Sequence, residues 1–332
     1  MTLRRSWGTT ALAVLAVTGL AFAQKNQFPW DDYRVEGSLT TIHVQGNVYM
    51  IHGLGGNVAV QTGDTGVLVV NTGLEQNSAA LIEAIRKLSD KPLQYIINTC
   101  MHPDQTGGNA ALRKIGVTIT GANVTGDIAD AAQGAQIIAH ENVLNRMSAP
   151  TGQKSAVAFS AWPTDTYVTG QKEVFFNREP VVARWQPAAH TDGDSIVIFR
   201  RSDVVVTGDV FNTESYPYID VERGGGVQGE IDALNNIIDI AVPEHEEEGG
   251  TYIIPGHGRV TDEFDVVEYR DMVTIVRDRV AHAIQKGMTL DQIKKAGFTK
   301  DYDARWSAKQ GPGTADNFVS SVYQSLKASQ SK

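Results

Sequence analysis

Apolar and polar residues alternate along the chain from about residue 40, and this pattern predicts β-strands. The runs TTIHVQGNVYMIHG (40–53) and NVAVQTGDTGVLVVNTG (57–73) contain Gly-Asn and Gly-Asp turns between alternating segments. Such runs are typical of antiparallel strands. Apolar positions at helical spacing then predict a helix over residues 77–89. A buried strand, LQYIINT (93–99), and a second helix over 109–116 are predicted to follow.

The rest of the chain repeats this order of strands and then helices. Residues 117–123 read as a strand and residues 125–149 mostly as helix. Because strands precede helices in both halves, the pattern favours two packed sheets with helices outside. The predicted strands of the second half cover 172–177, 179–188, 194–211 and 251–258, and its predicted helices cover 229–242, 265–287 and 316–328.

Composition supports one globular unit of enzyme size. The chain has 332 residues, of which 42% are hydrophobic and 20% charged, and this is not the composition of a disordered protein. The net charge is −9, which gives no basic surface for nucleic acid. No long linker and no short repeat divides the sequence, so a single catalytic domain is expected.

The N-terminus has the pattern of an export signal. Arg4 and Arg5 precede an apolar stretch that ends at Ala21-Phe22-Ala23, a small-residue cleavage pattern. The apolar stretch is shorter than the roughly 20 residues that a membrane span needs, which disfavours an anchor. Removal of residues 1–23 takes away two arginines and no acid, so the charge −9 would become −11. The mature protein, beginning with a polar segment over 24–40, is predicted to be periplasmic or secreted, by general or twin-arginine export, with no membrane span.

Candidate chemistry is concentrated where predicted strands end. The turn NTCMHPDQTGGN (98–109) follows one strand and places a thiol, an imidazole and a carboxylate together. Three more groups follow later strands, and rigid strand ends are common places for functional groups. Cysteine, histidine and carboxylate are the usual ligands of zinc. The six candidate metal ligands are Cys100, His102, Asp104, His190, Asp209 and His257.

The order and contexts of these residues resemble the metallo-β-lactamase superfamily. Its signature is a His-x-His-x-Asp-His turn followed by Gly-Gly, with a later His, Asp and His. The resemblance implies an α/β (α+β) fold, a four-layer αββα sandwich of two mixed sheets with outer helices. The domain would cover 41–262, and residues 263–332 would form a C-terminal helical extension packed on it. The residues that match the pattern are His102, Asp104, Gly107, Gly108, His190, Asp209 and His257.

Three positions depart from that pattern. Cys100 and Gln105 stand where the turn of the family has histidines, and Asn71 replaces an aspartate that usually precedes Thr-Gly. A thiolate is itself a zinc ligand, although a lone cysteine also serves as a small buried apolar residue. An amide binds zinc less well than imidazole.

The resemblance implies two metal positions of unequal strength. Cys100, His102 and His190 would hold the first ion. Asp104, His257 and a bridging Asp209 would hold the second weakly, so one tightly bound Zn²⁺ is expected, with iron as an alternative metal. In catalysis, Asp104 would orient a hydroxide or hold the second ion. Asp209 would bridge the two ions or contact the metal ligands from outside the coordination sphere.

Three functions remain open at this point. The first is an exported hydrolase in which a metal-bound hydroxide attacks an ester, lactone, amide or thioester carbonyl of a small-molecule substrate. The second is a catalytically impaired binding protein on the same fold, and the third is an iron-dependent oxidoreductase. The sequence specifies neither the substrate nor the oligomeric state.

Several other motifs carry no predicted chemistry. GGGVQG (224–229) fits a dinucleotide-binding pattern, but it follows a polar loop and not the strand that this fold requires. Tyr216 and Tyr218 could line a pocket or pack internally. The remaining histidines are expected to be ordinary: His52 in a turn, His140 packed on a helix, His245 in an acidic loop, and His43 and His282 without supporting pattern.

Overall fold

A computed structural model describes residues 39–118, 134–148, 155, 157–243 and 250–330. The predicted signal at 1–23, nearly all of the polar segment at 24–40, most of the strand predicted at 117–123, and His245 lie outside the described residues. Within the described part of the chain, no helix is long and apolar enough to cross a membrane.

The first sheet takes its strands in sequence order. Its first four strands are antiparallel, and the later neighbours are parallel. This confirms the hairpins predicted from the alternating runs. The seven strands are β1 (Thr40–Gln45), β2 (Val48–Leu54), β3 (Gly56–Thr62), β4 (Val67–Val70), β5 (Leu93–Ile97), β6 (Gln136–His140) and β7 (Asp165–Tyr167).

The second sheet has five strands in the order β12-β11-β10-β9-β8. Its neighbours are antiparallel except for the parallel pair of β11 and β12. The strands are β8 (Gln171–Phe176), β9 (Glu179–Trp185), β10 (Ser195–Phe199), β11 (Val204–Asn212) and β12 (Tyr252–His257).

The two sheets pack face to face, and helices cover their outer faces. Val70 and Ile97 of the first sheet share an apolar cluster with Val197 of the second. Leu81 in the helix before β5 packs on the outer face of the first sheet. The four-layer sandwich is therefore confirmed. The helices are α1 (Ser78–Leu88), α2 (Pro103–Thr106), α3 (Asn109–Ile115), α4 (Glu141–Met147), α5 (Val227–Ile240), α6 (Glu263–Gln285), α7 (Leu290–Ala296), α8 (Asp303–Trp306) and α9 (Ala315–Gln330).

The C-terminal helices share one core with the second sheet. Val205 of β11, Leu234 of α5, Val273 of α6 and Phe318 of α9 are all buried in the same apolar cluster. Residues 263–330 thus pack against the sandwich, and the division at residue 263 stays a prediction.

One predicted helix is partly a strand. Of the helix predicted over 125–149, residues 125–133 and 149 lie outside the described residues. Gln136–His140 form β6, between β5 and β7, and Glu141–Met147 after it are helical. Short apolar runs buried on both faces do not distinguish a strand from a helix by periodicity. His140 consequently ends a strand, where its ring stacks on Trp185 with centroids 4.4 Å apart. The short elements α2, α7, α8 and β7 were not predicted.

Candidate metal centre

The turn after β5 is built by close backbone packing. Asn71 adopts a left-handed conformation (φ 66°), which asparagine tolerates. Its Oδ1 accepts hydrogen bonds from the backbone N and Oγ1 of Thr99, at 2.9 and 3.0 Å. A Cβ on Gly108 would lie 2.5 Å from the carbonyl oxygen of Thr72. Because only glycine allows this approach, α2 is drawn against the segment after β4, which fixes the residues of the turn.

Four candidate ligands converge at the end of the sandwich. The ligand atoms of Cys100, His102, His190 and Asp209 all lie within 4.8 Å of one another, and the four side chains are buried. Cys100 Sγ lies 3.9 Å from His102 Nδ1 and donates to Asp209 Oδ2 at 3.5 Å. Side chains that follow β5 and β9 and one within β11 therefore form one cluster, which we call the thiol cluster.

Carboxylates orient both histidines of the thiol cluster. His102 Nε2 lies 3.1 Å from Asp220 Oδ2, and His190 Nδ1 lies 3.1 Å from Asp194 Oδ1. Arg223 Nη1 donates to Asp220 Oδ2 at 2.8 Å. Such contacts fix the ring orientation of a metal-binding histidine and raise its basicity. His102 would thus bind a metal through Nδ1, and His190 through Nε2.

A second cluster lies beside the first and shares Asp209. The ligand atoms of Asp104, Asp209 and His257 also lie within 4.8 Å of one another. His257 Nε2 is 3.0 Å from Asp104 Oδ2 and 3.4 Å from Asp209 Oδ1. We call these three residues the carboxylate cluster.

Gln105 places its amide nitrogen between the two carboxylates of that cluster. Nε2 donates to Asp209 Oδ1 at 2.7 Å and to Asp104 Oδ2 at 3.2 Å. The opposite amide orientation would set two oxygens against each other, so the donor must face the carboxylates. The amide thereby supplies partial positive charge at the place where a second cation would lie.

The charges of the two clusters are strongly coupled in the metal-free protein. Burial raises the pKa of the Cys100 thiol well above its usual value, and neighbouring Asp209 raises it further. Burial alone would lower the pKa of His190, but Asp194 outweighs it and raises the pKa to about 9. Burial likewise opposes protonation of His257, yet hydrogen bonds to Asp104 and Asp209 raise its pKa well above the usual range. The raised pKa values of His190 and His257 show that the neighbouring carboxylates favour positive charge on both imidazoles.

The thiol cluster fits a zinc ion. Thiolate, two imidazoles and a carboxylate are a normal zinc donor set. In the neighbouring carboxylate cluster, Asp104 Oδ1 is buried and has no hydrogen-bond partner, an arrangement that is costly unless a cation or water satisfies it. The clusters thus have the composition and the unmet charge of a metal centre.

A small cavity opens beside both clusters. Its volume is about 20 Å³, enough for about one water molecule. Tyr218 stands over the thiol cluster, with its ring centroid 6.0 Å from that of His102 and 5.9 Å from that of His190. The residues that line the cavity are Asp209, Asn212, Ser215, Tyr216, Tyr218, His257, Pro312 and Gly313.

The glycine-rich segment 224–229 has a packing role. A Cβ on Gly225 would lie 2.2 Å from the carbonyl oxygen of His190, and one on Gly229 would lie 1.9 Å from that of Ala188. The segment follows a 3-10 turn at Val221–Arg223, not a strand. Its glycines let the loop that carries Asp220 lie directly against the backbone of His190.

All six proposed ligands lie in the two clusters, whereas several supporting residues escaped the sequence analysis. Asp194 sits four residues after His190 in TDGD, a spacing that offered a local signal. Asp220 offered none, because it is 118 residues from its partner His102. Glu230 on α5 was also missed: it is buried, and neither carboxylate oxygen has a hydrogen-bond partner. Tyr218 lines the cavity, while Tyr216 both lines it and packs internally.

Comparison with known proteins agrees with this geometry. A sequence profile of the metallo-beta-lactamase superfamily matches residues 51–257, more than half of the chain. Comparison with curated protein sequences gave no match.

Three solved structures show the same fold at low sequence identity. The stereoselective inverting sec-alkylsulfatase Pisa1 from a Pseudomonas species matches with TM-score 0.61 and 15% identity over 86% of this chain, which spans 50% of that enzyme. The DIM-1 metallo-beta-lactamase matches with TM-score 0.51 and 14% identity, covering 72% of this chain and 98% of its own. A metallo-beta-lactamase from Pontibacter korlensis gives 0.51 and 11%, covering 71% and 99%. The profile match and the sandwich with its strand-end clusters together place this chain in the metallo-β-lactamase superfamily.

Proposed function

We propose that this protein is a zinc-dependent hydrolase that attacks the carbonyl group of a small ester, lactone, amide or thioester. The observation that carries the proposal is the thiol cluster, four buried ligand atoms within 4.8 Å of one another beside a cavity that Asp209 and His257 line. A bound zinc ion would supply a Lewis acid that activates water near neutral pH. Iron is the alternative metal for the same donor set.

One ion is expected in preference to two. Cys100, His102 and His190 would hold it, with Asp209 as the fourth ligand or as a bridge. The carboxylate cluster offers only three ligand atoms, and Gln105 already donates to both of its carboxylates. A second cation would have to displace that amide, so it is expected to bind weakly.

The chain's own groups can position water and handle protons. Asp209 is held ionised, because hydrogen bonding to His257 and the charge of His190 outweigh the effect of burial and lower its pKa. Asp104 contacts His257 Nε2 at 3.0 Å, which orients the imidazole at the cavity wall. In this arrangement, Asp104 and Asp209 would orient the attacking water, and His257 would carry a proton at Nε2.

Metal analysis and a hydrolysis screen test the proposal together. We expect the purified mature protein to retain about one zinc per chain after dialysis, and Cys100→Ala or His190→Ala to lose it. His43→Ala, which changes an exposed histidine, is the matched control and should keep it. The screen should include activated esters, lactones, thioesters and a secondary alkyl sulfate, since a sec-alkylsulfatase is among the matching structures. A metal-free wild-type protein would contradict the proposal.

A binding protein without turnover is the second candidate, and two observations favour it. The cavity admits about one water molecule, and Gln105 occupies the position between the carboxylates. Stoichiometric zinc with no hydrolysis of any tested substrate would support this candidate over the hydrolase.

Restoring the histidines of the family separates these candidates further. Cys100→His with Gln105→His should raise zinc content towards two ions per chain, since an imidazole in place of the Gln105 amide binds the second ion more firmly. Hydrolysis should rise in step. If zinc content rises and hydrolysis does not, the loop over residues 212–229, and not the ligand set, limits turnover.

Export is part of the proposal. The pattern of residues 1–23 supports cleavage after Ala23 and a periplasmic or secreted location. Mass spectrometry of protein from the cell envelope and medium should find a chain that begins at Gln24. An uncleaved N-terminus in the cytoplasm would contradict it.

A further inference from the structure

One wall of the cavity beside the metal centre comes from the C-terminal extension and not from the loops that follow the strands. Pro312 and Gly313 line it, and they belong to the segment between α8 and α9. Within this segment the backbone N of Ala308 donates to the carbonyl oxygen of Gly313 at 3.1 Å, which closes residues 308–313 into a compact loop. We call residues 308–313 the C-terminal loop.

The opposite side of the cavity is fastened to the same extension. The backbone N of Tyr216 donates to the carbonyl oxygen of Trp306 at 2.7 Å, and its hydroxyl donates to Asp303 Oδ1 at 2.9 Å. Its ring also stacks on Phe318, with centroids 5.1 Å apart. These contacts hold the segment that carries Tyr218 against the extension, so the C-terminal loop and Tyr218 line one gap whose walls are tied together.

That gap has almost no spare room. A Cβ on Gly313 would lie 2.3 Å from Ser215 Oγ, and both Pro312 and Gly313 are buried. A volume of about 20 Å³ holds about one water molecule. Pro312 adds its ring to the wall, and the lack of a side chain at Gly313 lets the loop lie against Ser215. Changes at these two positions should therefore alter what reaches Asp209 and His257.

We propose that the C-terminal loop is the element that sets substrate size, and that it restricts the site to slender, unbranched acyl groups. The proposal rests on the proposed function as far as the substrate is concerned. The claim about access concerns the cavity alone and can be tested without turnover. Pro312 and Gly313 are the specificity-determining residues.

Cys100 provides a reporter of access that does not depend on activity. It is the sole cysteine of the chain, it is fully buried, and its Sγ lies 3.5 Å from Asp209, which lines the cavity. In metal-free protein, the thiolate displaces sulfinate from a methanethiosulfonate reagent and forms a mixed disulfide. Methyl and benzyl reagents attack the same thiolate, so the ratio of their rates cancels its pKa and reports the size of the passage.

Three variants give the expected pattern. Pro312→Ala removes part of the wall and should raise the benzyl-to-methyl rate ratio about tenfold, the scale on which one methylene matters in a closed pocket. Gly313→Ala places a Cβ 2.3 Å from Ser215 Oγ, so the loop or Ser215 must shift at the cavity wall, and the ratio should change by a similar factor. Pro92→Ala changes an exposed proline far from the cavity and should leave it unchanged.

The outcomes separate access from turnover. An unchanged ratio in both Pro312→Ala and Gly313→Ala would overturn the proposal, and a change seen only in Tyr218→Ala would place the entrance on the opposite wall. Where wild-type protein hydrolyses nitrophenyl esters, Pro312→Ala should also raise kcat/KM for a branched acyl group relative to acetate. If a protein that shows no hydrolysis gives the expected labelling ratios, the role of the C-terminal loop in access is supported and the proposed hydrolase function is contradicted.

Discussion

Among the residues that the structure describes, two glutamates are buried, and their surroundings differ completely. Glu179 begins β9 at the end of the sandwich away from the metal centre. Its oxygens accept hydrogen bonds from Gln61 Nε2 at 2.6 Å, from Ser202 Oγ at 2.8 Å and from the backbone N of Arg201 and Ser202 at 3.0 Å each. Glu230 is buried on α5, and neither of its oxygens has a hydrogen-bond partner. The buried carboxylate at the Glu179 end of the sandwich has hydrogen-bond donors, whereas the buried Glu230 carboxyl near the metal centre has none.

The metal centre likewise contains a buried carboxylate oxygen without a hydrogen-bond partner. Asp104 Oδ1 also lacks a partner, and the charges of His190, Asp194 and Asp209 act on the Glu230 carboxyl. A buried carboxylate without hydrogen-bond donors is costly. A site that keeps several such groups close together therefore favours a bound positive charge. The saturated network at Glu179 ties β3 to β9 and stabilises the fold, whereas the unsaturated one points to a cation.

The largest expected effect is the loss of Glu179. Glu179→Ala removes the acceptor of three donors, while Ser202 Oγ can still donate to Asn47 Oδ1, and should lower the free energy of unfolding by about 3 kcal/mol or more. Chemical denaturation measures it. Glu173→Ala, on an exposed position of the neighbouring β8, is the control and should change stability by no more than about 0.5 kcal/mol. Equal effects in the two variants would show that the network at Glu179 is not structural.

Zinc should stabilise the opposite end of the molecule. Ligand present at about 100 times its Kd adds about 2.7 kcal/mol to the free energy of unfolding. We expect this gain in wild-type protein and in Glu173→Ala, and its absence in Cys100→Ala. If Cys100→Ala gains as much as wild-type protein, the thiol is not a ligand and serves as a buried apolar residue.

The sequence was enough to predict the ligand residues that follow strands at the metal-centre end of the sandwich. Cys100, His102 and His190 each follow a strand with a marked apolar run, and the order of residues in the family gave the sandwich. The Glu179 network was not predictable, because Gln61 lies 118 residues away and meets Glu179 only after the sheets pack. The same holds for Asp220 and Glu230. The strand β6 was misread because its apolar run is short and buried on both faces.

The pH dependence of stability should change sign with the metal. In metal-free protein the pKa of His190 is raised from 6.5 to about 9, and those of His257 and Cys100 are raised as well. The protonated histidines therefore favour the folded state fully below pH 6.5, and this stability is lost as pH rises towards 9, by about 1.4 kcal/mol per pH unit for each histidine in its range. The Cys100 thiol adds to the loss only above its ordinary pKa of about 8.5.

With zinc present, the slope between pH 6.5 and 8.5 should reverse. Ligation requires Cys100 and His190 to release their protons, so zinc competes better as pH rises. Thermal unfolding with and without zinc across this range measures both slopes. Parallel curves would show that the titrating residues are not the metal ligands, and Cys100→Ala should remove the reversal while it keeps the metal-free slope, which the histidines produce in this range.

The smallest expected effect is a gain in stability from replacing Glu230. Burial raises the pKa of its carboxyl well above the usual value, and neither oxygen has a hydrogen-bond partner. Glu230→Met keeps the length of the side chain and removes the unsatisfied polar group, which should raise the free energy of unfolding by about 1 kcal/mol. Glu230→Gln is the matched control: it remains polar and unpartnered and should gain little. Denaturation of the metal-free variants measures both. A loss of stability in Glu230→Met of the size expected for Glu179→Ala would show that the two buried glutamates have the same structural role, and the contrast between the two ends of the sandwich would fail.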